Sequence, residues 1–462
     1  MFSGAGRHHP SCDHRQPQPE PPAGVMTHSS ASREARRSQG DAAQVAFPIH
    51  PPARPDPLSG RRVLIIVENL PCPFDRRVWQ EATTLARAGV RVSIICPKGR
   101  GFEKSREEID GIVIYRHAMP VEASSAWGYA VEYAWALLAQ FALSLRVLAE
   151  RGFDALHACN PPDTIFIIGR FYKLLGKKFL FDHHDINPEL YEAKFGRRDG
   201  FHRLLCWLER ATFRTADVSI ATNESYRRIA IERGGQLPQR VFVVRSGPDL
   251  ARLRILPANA ALKRGRRFLV GYVGVMGRQE GIDLLLAAVH DIVHVRRRTD
   301  IQFGLVGGGT ELAALRQLAR DLAVAEFVTF TGRVPDSELL DMLNTADVCV
   351  NPDVANEMND KSTMNKIMEY MALGKPIVQF DLTEGHVSAG EASWYARRND
   401  PVDLAEHIVR LLDDEPARRH MGRIGRERVM NELSWEHEAP RLLAAYSALF
   451  AAEPASYQQI PR

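Results

Sequence analysis

The sequence has few cysteines, and their spacing excludes two common kinds of cysteine-based structure. Its 462 residues contain six, none of them in a C-x-x-C pair. They are Cys12, Cys72, Cys96, Cys159, Cys206 and Cys349. Scattered thiols predict neither a disulfide framework nor a zinc site. We therefore expect reduced cysteines and a cytoplasmic location.

The chain also lacks an excess of charge of one sign. Its formal net charge is only +4, which argues against a general nucleic-acid binder. The apolar share of 45 % and the charged share of 25 % are those of a globular protein. Because the length exceeds what one hydrophobic core usually holds, we expect two domains.

No continuous run of about 20 apolar residues is present, so the sequence predicts no membrane-spanning helix. The segment that comes nearest is 126–148, which is aromatic and apolar but interrupted by Glu132. It is either a core helix of an α/β domain, or a helix that partly faces a membrane or a lipid acceptor. The second interpretation predicts peripheral association with the inner face of the cell membrane.

Residues 1–59 have few large apolar side chains and hold 10 of the 28 prolines. Such a composition cannot bury enough apolar surface to fold, so we expect a disordered tail. A charged start followed by an apolar run is missing from this segment, and we therefore expect no secretory signal in it.

A glycine fingerprint is missing where a dinucleotide-binding fold would carry it. The first apolar strand is predicted over 62–67, and residues 68–77 after it contain no glycine. The G-x-G-x-x-G pattern that lets a pyrophosphate approach the backbone is therefore absent, which disfavours an NAD- or FAD-binding oxidoreductase. Arg76 and Arg77 open the next helix, either as contacts for an anionic acceptor or as ion-paired residues.

What the sequence does contain is a regular alternation of apolar strands and helices, interrupted once by the polar passage 251–267. The pattern predicts an α/β protein of two Rossmann-like, doubly wound domains that face a cleft, at 60–255 and 256–433. The strands are predicted over 62–67, 90–96, 112–116, 154–158, 178–182, 218–221 and 241–244, and then over 268–273, 301–306, 327–331, 348–351 and 377–380.

Glycine-bearing loops follow two of the strands in the second series. One contains Gly277 and Arg278, and the other contains Gly308 within a run of three glycines. Glycine lets a phosphate approach the backbone at the start of a helix, and Arg278 adds a counter-charge. A plain turn from strand to helix explains the second loop equally well, and it is the favoured interpretation of the first loop on its own.

Two adjacent histidines follow the predicted strand 178–182, within the run FDHHDINPE. His183 and His184 would point to opposite sides of a strand, and the sequence offers no second His/Asp cluster to complete a metal site. We therefore favour one histidine that faces the cleft and bonds a sugar hydroxyl. A structural strand cap is the remaining interpretation.

The most informative stretch is 359–378, which reads NDKSTMNKIMEYMALGKPIV. Its methionines and isoleucine have helical spacing, and the chain re-enters an apolar strand after a glycine. Lys361, Ser362 and Thr363 stand just before the helix, and Glu369 lies within it. Free N–H groups at a helix start, beside a lysine, suit a diphosphate, and a carboxylate further along suits sugar hydroxyls. The stretch therefore predicts a nucleotide-sugar pocket.

In order and spacing, these runs resemble glycosyltransferase family four, a retaining family with the GT-B fold, here of the cell-envelope or exopolysaccharide type. The resemblance covers residues 61–450. Its further carriers are RVLIIVENLPCPFDRRVWQEATTLARAGVRVSIICPKG, VVRSGPDL, GYVGVMGRQEGID, LVGGGTELAAL, FTGRVPDSEL and LSWEHEAPRLL.

The resemblance implies a nucleoside-diphosphate sugar in the second domain, a saccharide or lipid-linked acceptor in the first, and no cofactor or metal. His184 matches the histidine that contacts the transferred sugar, and Glu369 matches the carboxylate that bonds the ribose. The backbone of Thr363, Met364 and Asn365 would hold the diphosphate.

The resemblance also implies positions for the base and for the end of the chain. Gly332 and Val334 lie where the base usually rests. A helix over 434–452 would cross back to the first domain. The expected role is polysaccharide or glycoconjugate synthesis.

The sequence departs from the family pattern at three positions. Lys361 stands where the family carries the first glutamate of a Glu–seven residues–Glu element, and Val275 and Glu280 replace the usual arginine and lysine of the loop after the first donor-domain strand. We expect Lys361 to supply the positive charge that this loop has lost, with Arg278 as a helper.

These residues together predict metal-independent glycosyl transfer with retention of configuration, with His184, Lys361 and Glu369 as the catalytic residues. N–H dipoles and Lys361 would stabilise the charge on the leaving phosphate, and His184 would orient the sugar. Two rivals remain: a nucleotide-sugar epimerase of the same architecture, and a catalytically weak subunit that binds nucleotide sugar for a partner enzyme.

Overall fold

Apolar runs from the first half of the chain assemble into one eight-stranded sheet. The structure, a computed structural model, describes residues 58–118 and 126–451, with the backbone alone for 126–133. The strands are β1 Arg62–Ile66, β2 Arg91–Pro97, β3 Arg106–Ile109, β4 Ile112–His117, β5 Ala155–Cys159, β6 Lys178–His183, β7 Val218–Ala221 and β8 Val241–Val243. Their order is β3-β4-β2-β1-β5-β6-β7-β8, and only the β3–β4 pair is antiparallel among these strands.

The second half of the chain forms a separate six-stranded parallel sheet. Its strands are β9 Phe268–Val273, β10 Ile301–Val306, β11 Val328–Gly332, β12 Val348–Asn351, β13 Ile377–Phe380 and β14 Ser393–Ala396. They lie in the order β11-β10-β9-β12-β13-β14. We refer to the two sheets with their helices as the first and second domains.

Helices connect the strands and cover both sheets. In the first domain they are α1 Arg76–Arg87, α2 Ala126–Glu150, α3 Phe166–Leu174, α4 Asn187–Phe195, α5 Gly200–Thr215 and α6 Glu224–Glu232. In the second they are α7 Ile282–His290, α8 Leu312–Asp321, α9 Asp336–Thr345, α10 Glu357–Lys361, α11 Asn365–Ala372, α12 Thr383–Ala389, α13 Pro401–Asp413 and α14 Glu415–Arg428. The chain's last described helix is α15 Trp435–Phe450.

Both faces of the first sheet are buried, as a parallel sheet requires. Successive residues of a strand face opposite sides. Val63 and Ile65 therefore enter one core with residues of α1 and α15, whereas Leu64 and Ile66 enter another with residues of α2, α3 and α5. This explains why the strand reads as an uninterrupted apolar run.

The helix α15 returns to the first domain after the chain has completed the second. Its Leu442, Tyr446 and Leu449 are buried in the core shared with α1, and the indole N–H of Trp435 donates to the hydroxyl of Thr84 at 2.9 Å. The helix α15 therefore packs against the first domain beside α1.

The predicted fold class, two Rossmann-like α/β domains of the GT-B kind, is confirmed. The limits assigned to the domains and the disordered tail at 1–59 stay predictions, and nearly all of that tail lies outside the described residues. Within the described ranges, no helix has the length and apolar character needed to cross a membrane.

Candidate functional site

The helix α11 begins without a side-chain cap. Its N-cap residue Met364 has an extended backbone, with φ −86° and ψ 108°, and no side chain bonds to the first turn from that position. Ile367, Met368 and Met371 pack into the core, which fixes the helix, and Gly374 follows its end with a φ of 67°. The start of α11 thus offers backbone N–H groups to an anion.

The turn before α11 lies against the first domain. The amide of Asn223 donates to the carbonyl of Lys361 at 2.8 Å and to the hydroxyl of Thr363 at 3.0 Å. The Tyr226 and Ser362 hydroxyls are 3.0 Å apart. Because Asn223 and Tyr226 belong to the start of α6, the predicted diphosphate turn sits in the cleft between the two domains.

The charge of Lys361 is already compensated in this conformation. Its ammonium lies 2.5 Å from a carboxylate oxygen of Glu357 and 3.5 Å from one of Glu189. Glu357 is on the same short helix, whereas Glu189 belongs to the first domain. The predicted role of Lys361 as the cation for a donor phosphate stays a prediction, and it requires these two pairs to loosen.

A second lysine, which sequence reasoning missed, lies one turn further along. Lys366 is bound by Glu280 at 2.6 Å and by Asp353 at 2.7 Å, and its ammonium lies 5.0 Å from the ring centre of Tyr272. Burial raises the pKa of Asp353 to about 7. Burial opposes the charge of Lys366, but Asp353 and Glu280 outweigh it and raise the pKa of Lys366. Glu280 stands where the family has a lysine, and Lys366 of α11 forms an ion pair with it.

The predicted ribose contact Glu369 belongs to a four-residue ion cluster. One of its oxygens accepts from Arg252 at 3.0 Å and from Arg76 at 3.1 Å. Asp336 accepts from the same two arginines, at 2.6 Å and 3.0 Å. Arg76 opens α1 of the first domain, so the cluster spans the cleft. Sequence reasoning missed Arg252 and Asp336, although an arginine soon after the strand end β8 was a signal.

His184 lies just after β6, at the carboxyl edge of the first sheet. Its ring Nε2 is 2.6 Å from a carboxylate oxygen of Asp182, and its backbone N–H donates to Asn160 at 2.7 Å. The guanidinium of Arg77 bonds Asp182 at 2.9 Å. Burial opposes ionisation of Asp182, but Arg77 and His184 outweigh it and hold its pKa well below the usual value. The position of the His184 ring is therefore set by a buried charge.

This polar cluster continues into the interior and reaches α15. His157 lies 3.5 Å from Asp182 through Nε2 and 2.7 Å from the Tyr446 hydroxyl through Nδ1. Glu81 faces Arg77 at 3.2 Å, and burial raises the pKa of Glu81 well above its usual value. The returning helix therefore contributes directly to the network behind His184.

Among its described residues, the first domain brings together two groups whose donor atoms are close enough to hold a metal ion. One is His157, Cys159 and Asp182, and the other is Glu81, Asp182 and His184. The guanidinium of Arg77 already lies against all members of the second group, and its charge would repel a metal cation. Metal independence stays a prediction.

Arg76 and Arg77 are the arginines predicted to contact the acceptor, and their contacts differ. Arg77 is buried, and its donors bond Asp182, the carbonyl of Val244 and the hydroxyl of Ser246. Its burial favours a role in positioning His184 over contact with an acceptor. Arg76 is exposed at the cleft, as an acceptor contact requires.

The glycine loops of the second domain pack directly against each other. A Cβ atom at Gly307, where φ is 139°, would lie 1.7 Å from the carbonyl oxygen of Gly274, and one at Gly309 would lie 2.5 Å from that of Met276. Only glycine fits such backbone contacts. The loops after β9 and β10 are thus held together at the carboxyl edge of the sheet.

The remaining predicted donor residues line the same edge. Gly277 precedes the short turn that contains Arg278, whose side chain is 86 % exposed and 3.6 Å from Glu311. Gly308 packs near Arg333. The carbonyl of Gly332 accepts from Gly307 at 3.0 Å, and Val334 packs on the core beside β10. The structure therefore gathers the predicted loop residues at the carboxyl edge of one sheet.

Comparisons with known proteins agree with this architecture. Sucrose-phosphate synthase from Thermosynechococcus elongatus has a similar structure, with a TM-score of 0.69 at 20 % identity over 84 % of this chain and 99 % of that one. The structure of HepE from Anabaena in complex with UDP and glucose has a TM-score of 0.63 and is 14 % identical, over 83 % of this chain and 99 % of that one. At identities of 20 % and 14 %, structural similarity is evidence for the fold alone. That fold is the GT-B fold of glycosyltransferases.

Matches in sequence identify the family. Residues 75–247 match a model described as glycosyl transferase 4-like domain, and residues 267–414 match one described as glycosyl transferases group 1. The chain belongs to glycosyltransferase family four, and it is a glycosyltransferase.

Curated proteins with several different activities are similar to this chain in sequence. D-inositol 3-phosphate glycosyltransferase of Corynebacterium efficiens is 25 % identical over 81 % of this chain and 90 % of its own length. Alpha-maltose-1-phosphate synthase of Mycolicibacterium smegmatis is 27 % identical over 60 % of this chain and 75 % of its own length. D-inositol 3-phosphate glycosyltransferase of Thermomonospora curvata is 30 % identical, and the chain spans only 57 % of its length. These names refer to sugar or inositol phosphates, so the predicted polysaccharide and cell-envelope role is not confirmed.

Proposed function

We propose that the enzyme transfers a hexose-type sugar, with retention and without a metal ion, from a nucleoside-diphosphate sugar to a saccharide or lipid-linked acceptor. The observation that carries this proposal is the uncapped start of α11 in the cleft, with Glu369 one turn further along the helix and bridged to the first domain. A helix start binds a diphosphate through N–H groups, and a carboxylate on the next turn suits a ribose.

In this proposal the donor enters from the second domain. Its diphosphate meets the N–H groups of Thr363, Met364 and Asn365, and its base rests near Gly332 and Val334. Ribose hydroxyls replace the two arginines that Glu369 holds in the free enzyme. The guanidinium groups of Arg76 and Arg252 keep their pairs with Asp336, so Arg76 still bridges the two domains in the donor complex.

The transfer step follows from where charge develops. As the bond between the sugar and the β-phosphate oxygen breaks, negative charge grows on the leaving diphosphate, and fixed N–H dipoles and Lys361 stabilise it. The acceptor hydroxyl attacks from the same side and passes its proton to the departing phosphate. His184, whose Nε2 is engaged by Asp182, offers Nδ1 to a hydroxyl of the sugar and so orients it.

Closure of the two domains would limit hydrolysis of the donor by excluding water. The contacts from Asn223 and Tyr226 to the 361–363 turn already join the domains at this point. A cytoplasmic enzyme that uses a lipid-linked acceptor would work as a peripheral protein at the inner face of the membrane.

The experiment that tests the proposal is a thermal-shift screen against UDP-, GDP- and ADP-sugars, followed by turnover assays with the donor that stabilises the enzyme most. Ligand stabilisation follows the logarithm of ligand concentration over the dissociation constant, so the cognate donor stands out. NMR of the product then reports the anomeric configuration. An inverted product, or no stabilisation by any nucleotide sugar, contradicts the proposal.

One rival function has a specific observation in its favour. Lys361, Glu280 and Lys366 are all engaged in ion pairs, which is what a catalytically weak nucleotide-sugar-binding subunit would show. Donor binding without turnover across a panel of acceptors would favour that rival. A new sugar nucleotide formed without any acceptor would favour an epimerase.

A further inference from the structure

The first domain exposes large apolar side chains on three neighbouring helices, α2, α3 and α5. On α2 the exposed residues Trp135, Leu138 and Leu145 are spaced like one stripe of a helix, and they are 53 %, 67 % and 40 % exposed. The buried residues of α2, such as Val147, face the sheet. The helix is therefore apolar on both its inner and its outer side.

The same feature continues on the next two helices. On α3, Ile167, Phe171 and Leu174 are exposed, Leu174 by 87 %. On α5, Leu204 and Trp207 are exposed by 44 % and 58 %. We call the exposed side chains of α2, α3 and α5 the three-helix face.

Ring contacts join the three helices that carry the three-helix face. Phe141 of α2 packs edge-on against Phe171 of α3, with ring centres 5.0 Å apart. Phe166 of α3 packs edge-on against Trp207 of α5 at 6.0 Å. An exposed apolar surface that spans several elements marks an interaction site.

Positive charges predominate on this face, and its exposed carboxylate Glu150 is paired with Arg146 on the same helix. Arg203, Arg210 and Arg214 are exposed on α5 along the stripe that contains Trp207. The carboxylate of that helix, Glu209, is fully buried against Arg233 instead. Arginines beside exposed tryptophan and leucine complement the anionic headgroups and acyl chains of a bilayer surface. A second copy of the chain would bring like charges together on this face.

We propose that the three-helix face docks on an anionic lipid bilayer. The apolar side chains of α2 and α3 enter the headgroup region, and the arginines of α5 contact the lipid phosphates. The helix α2 begins at the carboxyl end of β4, where the Trp135 indole donates to the carbonyl of Ala118 at 3.3 Å. This is the same sheet edge at which His184 follows β6. The entry of a lipid-linked acceptor there rests on the proposed function, whereas bilayer binding does not.

The test is cosedimentation of the full chain with vesicles, in the absence of donor and acceptor. We expect binding to phosphatidylcholine vesicles that contain roughly 30 % phosphatidylglycerol and little binding to pure phosphatidylcholine. The triple variant Leu138→Glu, Leu174→Glu, Trp207→Glu should lower the partition coefficient by more than about tenfold, and the double variant Arg203→Gln, Arg214→Gln by about tenfold.

The matched control is Val295→Glu with Val402→Glu, because both valines are more than half exposed on the second domain. It should bind vesicles like the unaltered chain, and near-equal melting temperatures should show that all variants fold. Equal vesicle binding by the triple variant and the control overturns the inference. So does a dimer, measured by light scattering, that only the triple variant disrupts. Turnover of a soluble acceptor tests the proposed function separately.

Discussion

At the scale of single residues, the ring of His184 depends on one buried carboxylate. The change Asp182→Asn keeps the side-chain volume but removes the charge that lies 2.6 Å from His184 Nε2 and accepts from Arg77. We expect kcat to fall by about tenfold to hundredfold because the sugar is misoriented, with donor affinity nearly unchanged. Steady-state kinetics and donor titration measure the two effects.

The matched control is Glu209→Gln. Glu209 is also fully buried, is paired with an arginine and lies beside the neighbouring histidine, His183. Both variants should lose up to about 3 kcal/mol of stability, because each takes one carboxylate from an arginine that keeps a single other, Glu81 for Arg77 and Glu189 for Arg233. Only Asp182→Asn should lose activity beyond what the unfolded fraction explains. An equal loss of kcat in both would mean that Asp182 has a structural role only.

The grouping of candidate-site residues was predictable where the signal is local in sequence, and their roles stay predictions. Lys361, Thr363 and Glu369 belong to one helix and its preceding turn, so spacing alone relates them. Arg252 was not predictable as part of this site because its partners, Asp336 and Glu369, are remote in the chain. No periodic pattern reports an ion pair between distant segments.

At the scale of elements, the turn before α11 makes a direct prediction for its lysine. Lys361→Ala should raise the donor dissociation constant by about tenfold, the effect of one charge-assisted hydrogen bond. The control Glu357→Ala removes the 2.5 Å partner of Lys361 and should leave donor affinity equal or tighter. Calorimetric titration with the donor compares them. If Lys361→Ala binds and turns over the donor normally, the cation comes from elsewhere.

The packed glycine loops make a second prediction at this scale. Gly307→Ala places a Cβ atom 1.7 Å from the carbonyl of Gly274, so the loops after β9 and β10 must separate. We expect a loss of about 1–3 kcal/mol and weaker donor binding. Gly265→Ala is the control, since Gly265 also has a positive φ, of 78°, but no atom within 4 Å of the added Cβ. Urea unfolding should give a lower free energy of unfolding for Gly307→Ala than for Gly265→Ala. Equal free energies would show that the loop contact is unimportant.

Most strands were predictable because buried parallel strands read as short apolar runs. The strands β3 and β14 were missed for a physical reason. The strand β3 has the sequence REEI and lies at the edge of its sheet, with alternate residues exposed, so it carries charge instead of an apolar run. The strand β14, with the sequence SWYA, is short and also lies at an edge.

At the scale of the whole molecule, the sequence predicted two facing domains but not how they contact each other. Domain pairing depends on side chains that meet only after folding. One set joins the 361–363 turn to α6 through Asn223 and Tyr226. Another joins α1 to the second domain through Arg76. Both lie at the proposed donor site, so donor binding and domain closure should be coupled.

Arg76 tests that coupling. It bonds Glu369 and Asp336 across the cleft at 3.1 Å and 3.0 Å, and its side chain is 53 % exposed. Such a pair contributes about 0.2–1 kcal/mol and is screened by salt. We therefore expect kcat of the unaltered enzyme to depend on salt. Arg76→Ala should change the melting temperature little, lower kcat by about threefold and remove that salt dependence.

The control for this prediction is Arg87→Ala, which removes an exposed arginine at the other end of the same helix. It should leave both kcat and its salt dependence unchanged. Donor affinity should stay equal or rise in Arg76→Ala, because Glu369 loses one competitor for the ribose. A salt profile of kcat that is identical in the unaltered enzyme and Arg76→Ala would show that the bridge plays no part in closure. Weaker donor binding in Arg76→Ala would instead assign the arginine to the donor itself.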